Sequence, residues 1–244
     1  MANAFFDPGD QRAAKVRALF AQIARRYDLI NDLQSLGLHR SWKRRVVRMA
    51  RAQAGQRALD LCCGTGDLAL ALAAEGAEVT GLDFTEQMLE VAEVRTARST
   101  LAAPQRPRFI RADAQRLPFD DASFDIVTIG YGLRNLSSWQ AGLAEMKRVS
   151  RPGARLLVLD FGKPRNAVWR SLYYCYLKLV VPCLGWVFCG SAGAYAYILP
   201  SLQHYPAQQG VAEAMTALGL VNVQVISLLG GVMSIHYAEK PLGS

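Results

Sequence analysis

The chain has 244 residues, 51% of them hydrophobic, with five cysteines and a formal net charge of +8. That length and composition exclude a disordered or fibrous chain and leave room for one large domain with a sizeable core. Cys62, Cys63, Cys175, Cys183 and Cys189 are odd in number and lack Cys-x-x-Cys spacing, which argues against a disulfide framework and a zinc site. With no signal-peptide pattern at the N-terminus, a reduced, cytoplasmic protein without a metal is expected. The charge is uneven: from Arg12 to Arg51 eleven Lys/Arg stand against Asp28 and Asp32, a net +9. Such a segment suits phosphates, on nucleic acid or an anionic membrane, or is the solvated side of two helices.

In chain order, residues 1–11 read as an arm. From Arg12, the positions Val16, Leu19, Phe20, Ile23, Ala24 and Tyr27 fall at helical spacing, and a second amphipathic helix starts near Ser41, with Trp42, Val46 and Val47 against Lys43, Arg44, Arg45 and Arg48. The stretches 27–32 and 35–40 read as a structured connection. After Gly55, short apolar strands alternate with helices, the pattern of parallel βαβ units. Strands are expected at 58–61, 79–82, 108–111, 124–130 and 154–160, the last following an Arg151-Pro-Gly153 turn; helices are expected at 67–75, 86–98 and 138–149. A helix over 211–218 then leads to strands 223–229 and 232–239, separated by Gly230-Gly231, which signals a hairpin. A parallel sheet closed by an antiparallel hairpin departs from the all-parallel dinucleotide fold. The segments read as a basic helical cap (1–55), a Rossmann-like core (56–160), an apolar insertion or lid (161–209) and a closing unit (210–244). Within the insertion, Leu172 to Phe188 is unusually apolar and aromatic but is interrupted by Lys178 and Pro182. It suits a lid or an interfacial patch better than a membrane span.

The run Ala58-Leu-Asp-Leu-Cys-Cys-Gly-Thr-Gly-Asp67 is a strand ending in a glycine turn that opens a helix, a place where backbone N–H groups meet a ligand. Gly64-x-Gly66-x-x-Ala69 also satisfies the dinucleotide fingerprint. Four features favour S-adenosylmethionine. Asp60 lies four residues before Gly64, where a carboxylate would attract an ammonium and repel a pyrophosphate. Asp83 ends the second strand, placed for ribose hydroxyls, which NAD proteins share. Asp113-Ala114 follows the third strand, where an acid can accept from an adenine amino group. The closing hairpin is the fourth feature. Asp67 is read as a helix N-terminal acid, and His39, His204 and His236 as structural, with contact to substrate near the lid the alternative for His204 or His236.

Leu59 to Asp67, Ala112-Asp-Ala-Gln-Arg-Leu-Pro-Phe119, Tyr131-Gly-Leu-Arg-Asn135, Arg151 to Val158 and Lys163-Pro164 together resemble the ubiquinone/menaquinone biosynthesis C-methyltransferases. The similarity extends to Tyr27-Asp28, Asn31-Asp32 and Trp42-Lys43 upstream, and to Gly230-Gly-Val232 and Ile235-His236 downstream. It implies a class I methyltransferase fold, a seven-stranded mainly parallel sheet with N-terminal helices and an apolar insertion. It also implies methyl transfer from S-adenosylmethionine to a ring carbon of a polyprenylated quinol. The implied cofactor contacts fall on Thr65, Asp83, Asp113 and Ala114, and the expected cofactor set is Asp60, Gly64, Thr65, Gly66, Asp83, Phe84, Asp113, Ala114 and Gly130. Gly130 stands where many relatives have Ser, so only a backbone contact is expected there. The Cys-Cys-Gly-Thr-Gly form leans towards the menaquinone branch.

The resemblance places Arg134, Asn135 and Tyr27 around the quinol oxygen. A guanidinium stays protonated in proteins, so Arg134 is expected to stabilise a developing phenolate rather than act as a base. A tail that lives in the bilayer implies a peripheral visit to the inner face of the cytoplasmic membrane through the basic cap and the insertion. Nucleic acid is not the expected partner, and a homodimer is left open. The competing readings are a methyltransferase for another aromatic or prenylated compound, an RNA methyltransferase and an NAD-dependent oxidoreductase.

Overall fold

In the computed structural model, which describes residues 10–189 and 193–243, the alternation of apolar runs and helices folds into one mixed sheet. Its strands are β1 (Arg57–Leu61), β2 (Glu78–Asp83), β3 (Arg108–Arg111), β4 (Phe124–Gly130), β5 (Ser150–Phe161), β6 (Val221–Leu228) and β7 (Met233–Glu239), in the order β3-β2-β1-β4-β5-β7-β6. All neighbours are parallel except at β7, which runs antiparallel to both β5 and β6. The central strands read as continuous buried runs, Ala58 to Leu61 and Ile126 to Ile129, as expected of strands covered on both faces. Gly230 and Gly231, at φ +64° and +98°, turn the expected hairpin.

Eleven α-helices lie among the described residues: α1 (Asp10–Ile23), α2 (Tyr27–Ser35), α3 (Leu38–Ala50), α4 (Asp67–Ala74), α5 (Glu86–Ala97), α6 (Trp139–Val149), α7 (Ala167–Cys175), α8 (Val181–Cys189), α9 (Gly193–Ala196), α10 (Ile198–His204) and α11 (Ala207–Ala217), with a π-helical turn at Tyr176–Val180 between α7 and α8. Capping is local where the sequence supplies it: Ser138 Oγ accepts from the Ala141 N–H at 3.1 Å, and Asn166 Oδ1 from the Trp169 N–H at 2.9 Å. One hydrophobic cluster runs from Leu19, Ile30 and Val46 in the prefix through the sheet to Tyr173, Leu177 and Val181 in the insertion.

Three local expectations change. The arm expected at 1–11 lies outside the described residues up to residue 9, and Asp10 already begins α1. The helix read through Tyr27 breaks at a 3-10 turn, Ala24–Arg26, so Tyr27 opens α2 instead of closing α1, and the expected connection at 27–40 is helical. The pair Leu36-Gly37, at φ +50° and +75°, ends α2, where the Gly37 N–H donates to Asp32 O at 2.8 Å. The turn expected at 151–153 is instead the bulged start of β5: pairing with β4 shifts register there, and the Gly153 N–H donates to Lys240 O.

Candidate active site

The carboxyl ends of β1, β2 and β4 meet the glycine turn, as ligand sites of open α/β sheets do. Gly64, at φ +54°, donates its N–H to Asp83 Oδ2 at 2.9 Å, and the Thr85 N–H donates to Asp83 Oδ1 at 2.8 Å. Asp83 thus ties the first two strand ends together, and burial raises its pKa against the pull of those N–H groups. A Cβ at Gly64 would meet nothing closer than Tyr27 Cε1 at 3.9 Å, so the bare backbone faces a cavity. Gly66 is different. A Cβ there would come within 3.2 Å of both Ala92 and Phe109, so its glycine serves packing against α5 and β3.

The cavity beside the turn is lined by Asp83, Phe84, Asp113, Ala114, Gly130 and Asn135, and α1 closes it with Val16, Arg17 and Phe20. The Arg17 guanidinium lies 5.7 Å from the centre of the Phe84 ring. Asp113 accepts from the Gln115 N–H at 2.9 Å, and Ala114 is buried. A second, smaller cavity on the other side of Gly64 is lined by Tyr27, Lys43, Asp60, Thr65, Gly130 and Tyr131. Asp60 is 1% exposed; its Oδ1 accepts from the hydroxyl of Thr128, its register partner on β4, at 2.7 Å, and its Oδ2 is buried without a hydrogen-bond partner. Burial raises the Asp60 pKa to about 7.

Thr65 faces the prefix. Its hydroxyl donates to Asp28 Oδ1 at 2.8 Å, and Arg95 of α5 donates to Asp28, to Thr65 and to Asp67. Lys43 of α3 reaches Asp67 at 2.5 Å. Burial pushes the Asp67 carboxyl up, but Lys43 and Arg95 overcome it and hold the group well below the usual carboxylate range. One ionic cluster thereby fastens α2 and α3 to the glycine turn and brings Tyr27 over it.

Arg134 sits in a 3-10 turn, Leu133–Asn135, after β4, and its side chain is 3% exposed. Its backbone N–H donates to Asp160 Oδ2 at 3.0 Å, and Nη1 donates to Asp160 Oδ1 at 3.2 Å and to Tyr131 O at 2.6 Å. The guanidinium carbon stands 4.4 Å from the Phe161 ring centre and 5.9 Å from that of Tyr197. Burial opposes its charge, but Tyr197, Asp160 and Tyr27 around it keep its pKa above the ordinary value. Tyr27, Tyr131, Arg134, Phe161 and Tyr197 line a third cavity. Asn135 donates to Tyr131 O at 3.1 Å and faces the first cavity.

Tyr27, Arg134, Asn135, Asp60, Gly64, Thr65, Asp83, Phe84, Asp113, Ala114 and Gly130 therefore all border this connected set of cavities, while Gly66 lines none of them. The reading of the chain missed Tyr131, Lys43, Asp160 and Tyr197. Tyr131 borders all three cavities, holds φ at +62°, and lies under the Lys43 ammonium at 5.6 Å. Asp160 ends a strand just as Asp60 and Asp83 do, and that position was the available signal. A Cβ at Gly130 would come within 2.9 Å of Leu68 Cδ1, so Leu68 fills the space a side chain would need. His39, bonded to Asp32, and His236, bonded to Gln208 O, are structural as expected.

The sheet order with an antiparallel penultimate strand, and a glycine turn after β1, define the class I S-adenosylmethionine-dependent methyltransferase fold. A solved methyltransferase of this class from Aquifex aeolicus superposes with a TM-score of 0.58 at 17% identity, covering 81% of this chain and 88% of that one. The chain belongs to the ubiE/COQ5 methyltransferase family, whose model matches residues 9–240. It is 38% identical to the ubiquinone/menaquinone biosynthesis C-methyltransferase of Azotobacter vinelandii, over 96% of this chain and 93% of that protein. It is 39% identical to the demethylmenaquinone methyltransferase of Desulfitobacterium hafniense, over 96% and 92%. The cradle fits the cofactor of this class: the unpartnered Asp60 Oδ2 offers an acceptor for its ammonium, and open space faces Gly64.

The folded protein holds the Asp60 proton more tightly than the unfolded chain, so Asp60 favours folding while protonated. That contribution is lost as pH rises from the usual 3.8 to about 7. The unfolding free energy of the wild type, measured by denaturant titration relative to Asp60→Asn, should fall across this window. A difference that stays flat with pH would contradict the burial-driven shift.

Proposed function

We propose that the protein transfers the methyl group of S-adenosylmethionine to a ring carbon of a polyprenylated quinol, with demethylmenaquinol the favoured acceptor. The observation that carries this reading is the buried Arg134 guanidinium, a fixed positive charge among aromatic rings beside the cofactor cradle. The names of the relatives support both the reaction and the menaquinone preference.

Bound S-adenosylmethionine supplies an electrophilic methyl group. In this reading Asp60, Asp83, Asp113 and the backbone around Gly64, Ala114 and Gly130 hold it. A ring carbon becomes nucleophilic when the neighbouring hydroxyl of the reduced quinol loses its proton. Arg134 stabilises the developing phenolate, at low dielectric and in a position already paid for by folding. Asn135 and Tyr27 orient the same oxygen. Burial raises the Tyr27 phenol above its ordinary value, so it keeps its proton and acts as a donor. Once the ring carbon has taken the methyl group it gives up its hydrogen to restore aromaticity and the oxygen regains a proton, so one proton in all passes to water and S-adenosylhomocysteine leaves. The cap (1–55) brings Tyr27 to a core (56–160) that holds the cofactor, the insertion (161–209) takes the tail, and residues 210–244 close the sheet.

Arg134→Ala should lower turnover about 100- to 1,000-fold, with affinity for S-adenosylhomocysteine changed less than about threefold, or about 0.7 kcal/mol. Because removing one member of a buried pair costs about 3–5 kcal/mol, thermal unfolding and Arg134→Lys, which keeps the charge, accompany it. Unchanged turnover in Arg134→Ala would contradict the role.

The apolar helical stretch 167–188 is long enough to cross a membrane, with a mean hydropathy of 1.3, and 22% of its most apolar window is buried in the protein. We read it as lying against the bilayer on the cytoplasmic face, because Tyr173, Leu177 and Val181 pack into the core and Lys178 and Pro182 interrupt the run. Arg44, Arg45 and Arg48 of the cap are exposed for anionic headgroups. Binding to anionic vesicles should exceed binding to neutral ones and weaken as salt is raised, measured by co-sedimentation. Equally weak binding to both at low salt would contradict the electrostatic part.

A further inference from the structure

A larger cavity lies outside the cofactor cradle. It is a groove of about 660 Å³ between α2 and the start of α3 on one side and α7, the π-turn and α8 on the other, with the β6–β7 turn at one end. Among the described residues no Lys, Arg, Asp or Glu lines it, and His39, the titratable side chain in its wall, is bonded to Asp32 with its pKa lowered by burial; Leu33, Trp42, Tyr173, Leu177, Val181 and Met233 give the character of the wall. Its two sides are held at a fixed spacing where the Tyr176 hydroxyl donates to Gln34 O at 2.7 Å.

Two features show what runs through it. Asn31, Gln34, Tyr131 and Phe161 line both the groove and the cavity that holds Arg134, so the groove lies directly beside the proposed reaction site. At its mouth the lining residues are exposed although apolar: Leu36 by 89%, Leu172 by 58%, Leu229 by 50% and Val180 by 43%. Leu36 is presented by the left-handed turn that ends α2. A corridor that begins beside a buried cation, carries no ionised group and opens through a rim of bare leucine and valine suits a long hydrocarbon attached to a polar ring. A peptide strand or helix would meet no charged residue there to fix its register.

We propose that this groove is the binding site for the first isoprenyl units of the acceptor's tail, with Tyr131 and Phe161 at the point where tail and ring join and Leu36, Leu172, Val180 and Leu229 at the point where the tail leaves for the bilayer. The assignment rests on the quinol reading above and deepens it: affinity for the acceptor comes from the groove, and turnover comes from the ring pocket.

The double variant Leu172→Asp/Val180→Asp alters the exposed mouth, which also belongs to the face read as lying against the bilayer, so both acceptors are presented in detergent micelles without vesicles. Steady-state kinetics compare a quinol bearing a geranylgeranyl chain with the same ring bearing a methyl group. The variant should raise KM for the tailed acceptor about tenfold or more, equal to about 1.4 kcal/mol, with kcat and the constants for the tailless ring changed less than about twofold, about 0.4 kcal/mol. Equal loss with both acceptors, or no loss with either, overturns the proposal. A second readout needs no catalysis: Trp42 and Trp169 line the groove, so geranylgeraniol should quench protein fluorescence saturably in the wild type and not in the variant. If geranylgeraniol binds but no quinol is methylated, the quinol reading fails while the groove keeps a prenyl ligand. If tailless and tailed quinols are methylated alike and geranylgeraniol does not bind, the groove assignment fails and the quinol reading stands. A dimer that the double variant dissociates would place a second copy of the chain on the groove and also overturn the proposal.

Discussion

A guanidinium taken out of water must be compensated, and the arrangement around Arg134 follows from that need. The desolvation cost of a buried ion is several kcal/mol even after relaxation. Asp160 offsets it with a carboxylate that also accepts the backbone N–H groups of Arg134 and Phe161, at 3.0 and 2.8 Å, so the anion is satisfied on several sides. Tyr131 O takes a further N–H, and the faces of Phe161 and Tyr197 take the rest of the cation's field. A buried pair of this kind is weak evidence of stability, because an apolar substitute of similar volume often does as well. In the proposed reaction its value lies in a positive charge that cannot wander and needs no reorganisation when negative charge develops nearby. The left-handed conformation of Tyr131 belongs to the same arrangement, since it turns the carbonyl of that residue towards the guanidinium.

A second set of charges performs a mechanical task. Asp28, Thr65, Asp67, Arg95 and Lys43 join two prefix helices to the glycine turn and to α5. The cap therefore forms a wall of the candidate site, and Tyr27 reaches the cavities because Asp28, its neighbour, is anchored on Thr65. The prefix charge is divided accordingly. Lys43 is turned inwards and Arg40 is paired with Asp32, while the arginines of the outer face of α3 remain free for an anionic surface.

The strands, the glycine turn and the closing hairpin were legible because they rest on short-range signals: apolar runs of strand length, glycines at positive φ, and a Gly-Gly pair between two strands. The walls of the candidate site were legible at strand ends, where Asp60, Asp83 and Asp113 stand, and through the resemblance at Tyr27, Arg134 and Asn135, all of which border its cavities. What stayed hidden depends on tertiary contact. The break at Ala24–Arg26 interrupts a helical apolar stripe that continues in the sequence, so the position of Tyr27 could not be read from periodicity. Gly66 looked like a ligand contact, and only the approach of Phe109 and Ala92 shows that it packs against protein. Asp160 closes an apolar strand, and its meaning depends on an arginine 26 residues earlier in the chain. Lys43 shares its helical face with Val46, Val47 and Ala50, three, four and seven residues on, and that spacing was the local signal that set it apart from the other cap cations.

The central claim is that a fixed cation and a methyl donor act together on the carbon of a reduced ring. The most direct measurement supplies the purified protein with S-adenosylmethionine labelled in its methyl group and with demethylmenaquinol or demethylmenaquinone, and locates the label in the product by mass spectrometry and NMR. The account predicts label on a ring carbon when the quinol is supplied and none when the oxidised quinone is supplied, because only the hydroquinone can lose a proton to become nucleophilic. Label on oxygen, or equal labelling of quinol and quinone, would contradict it.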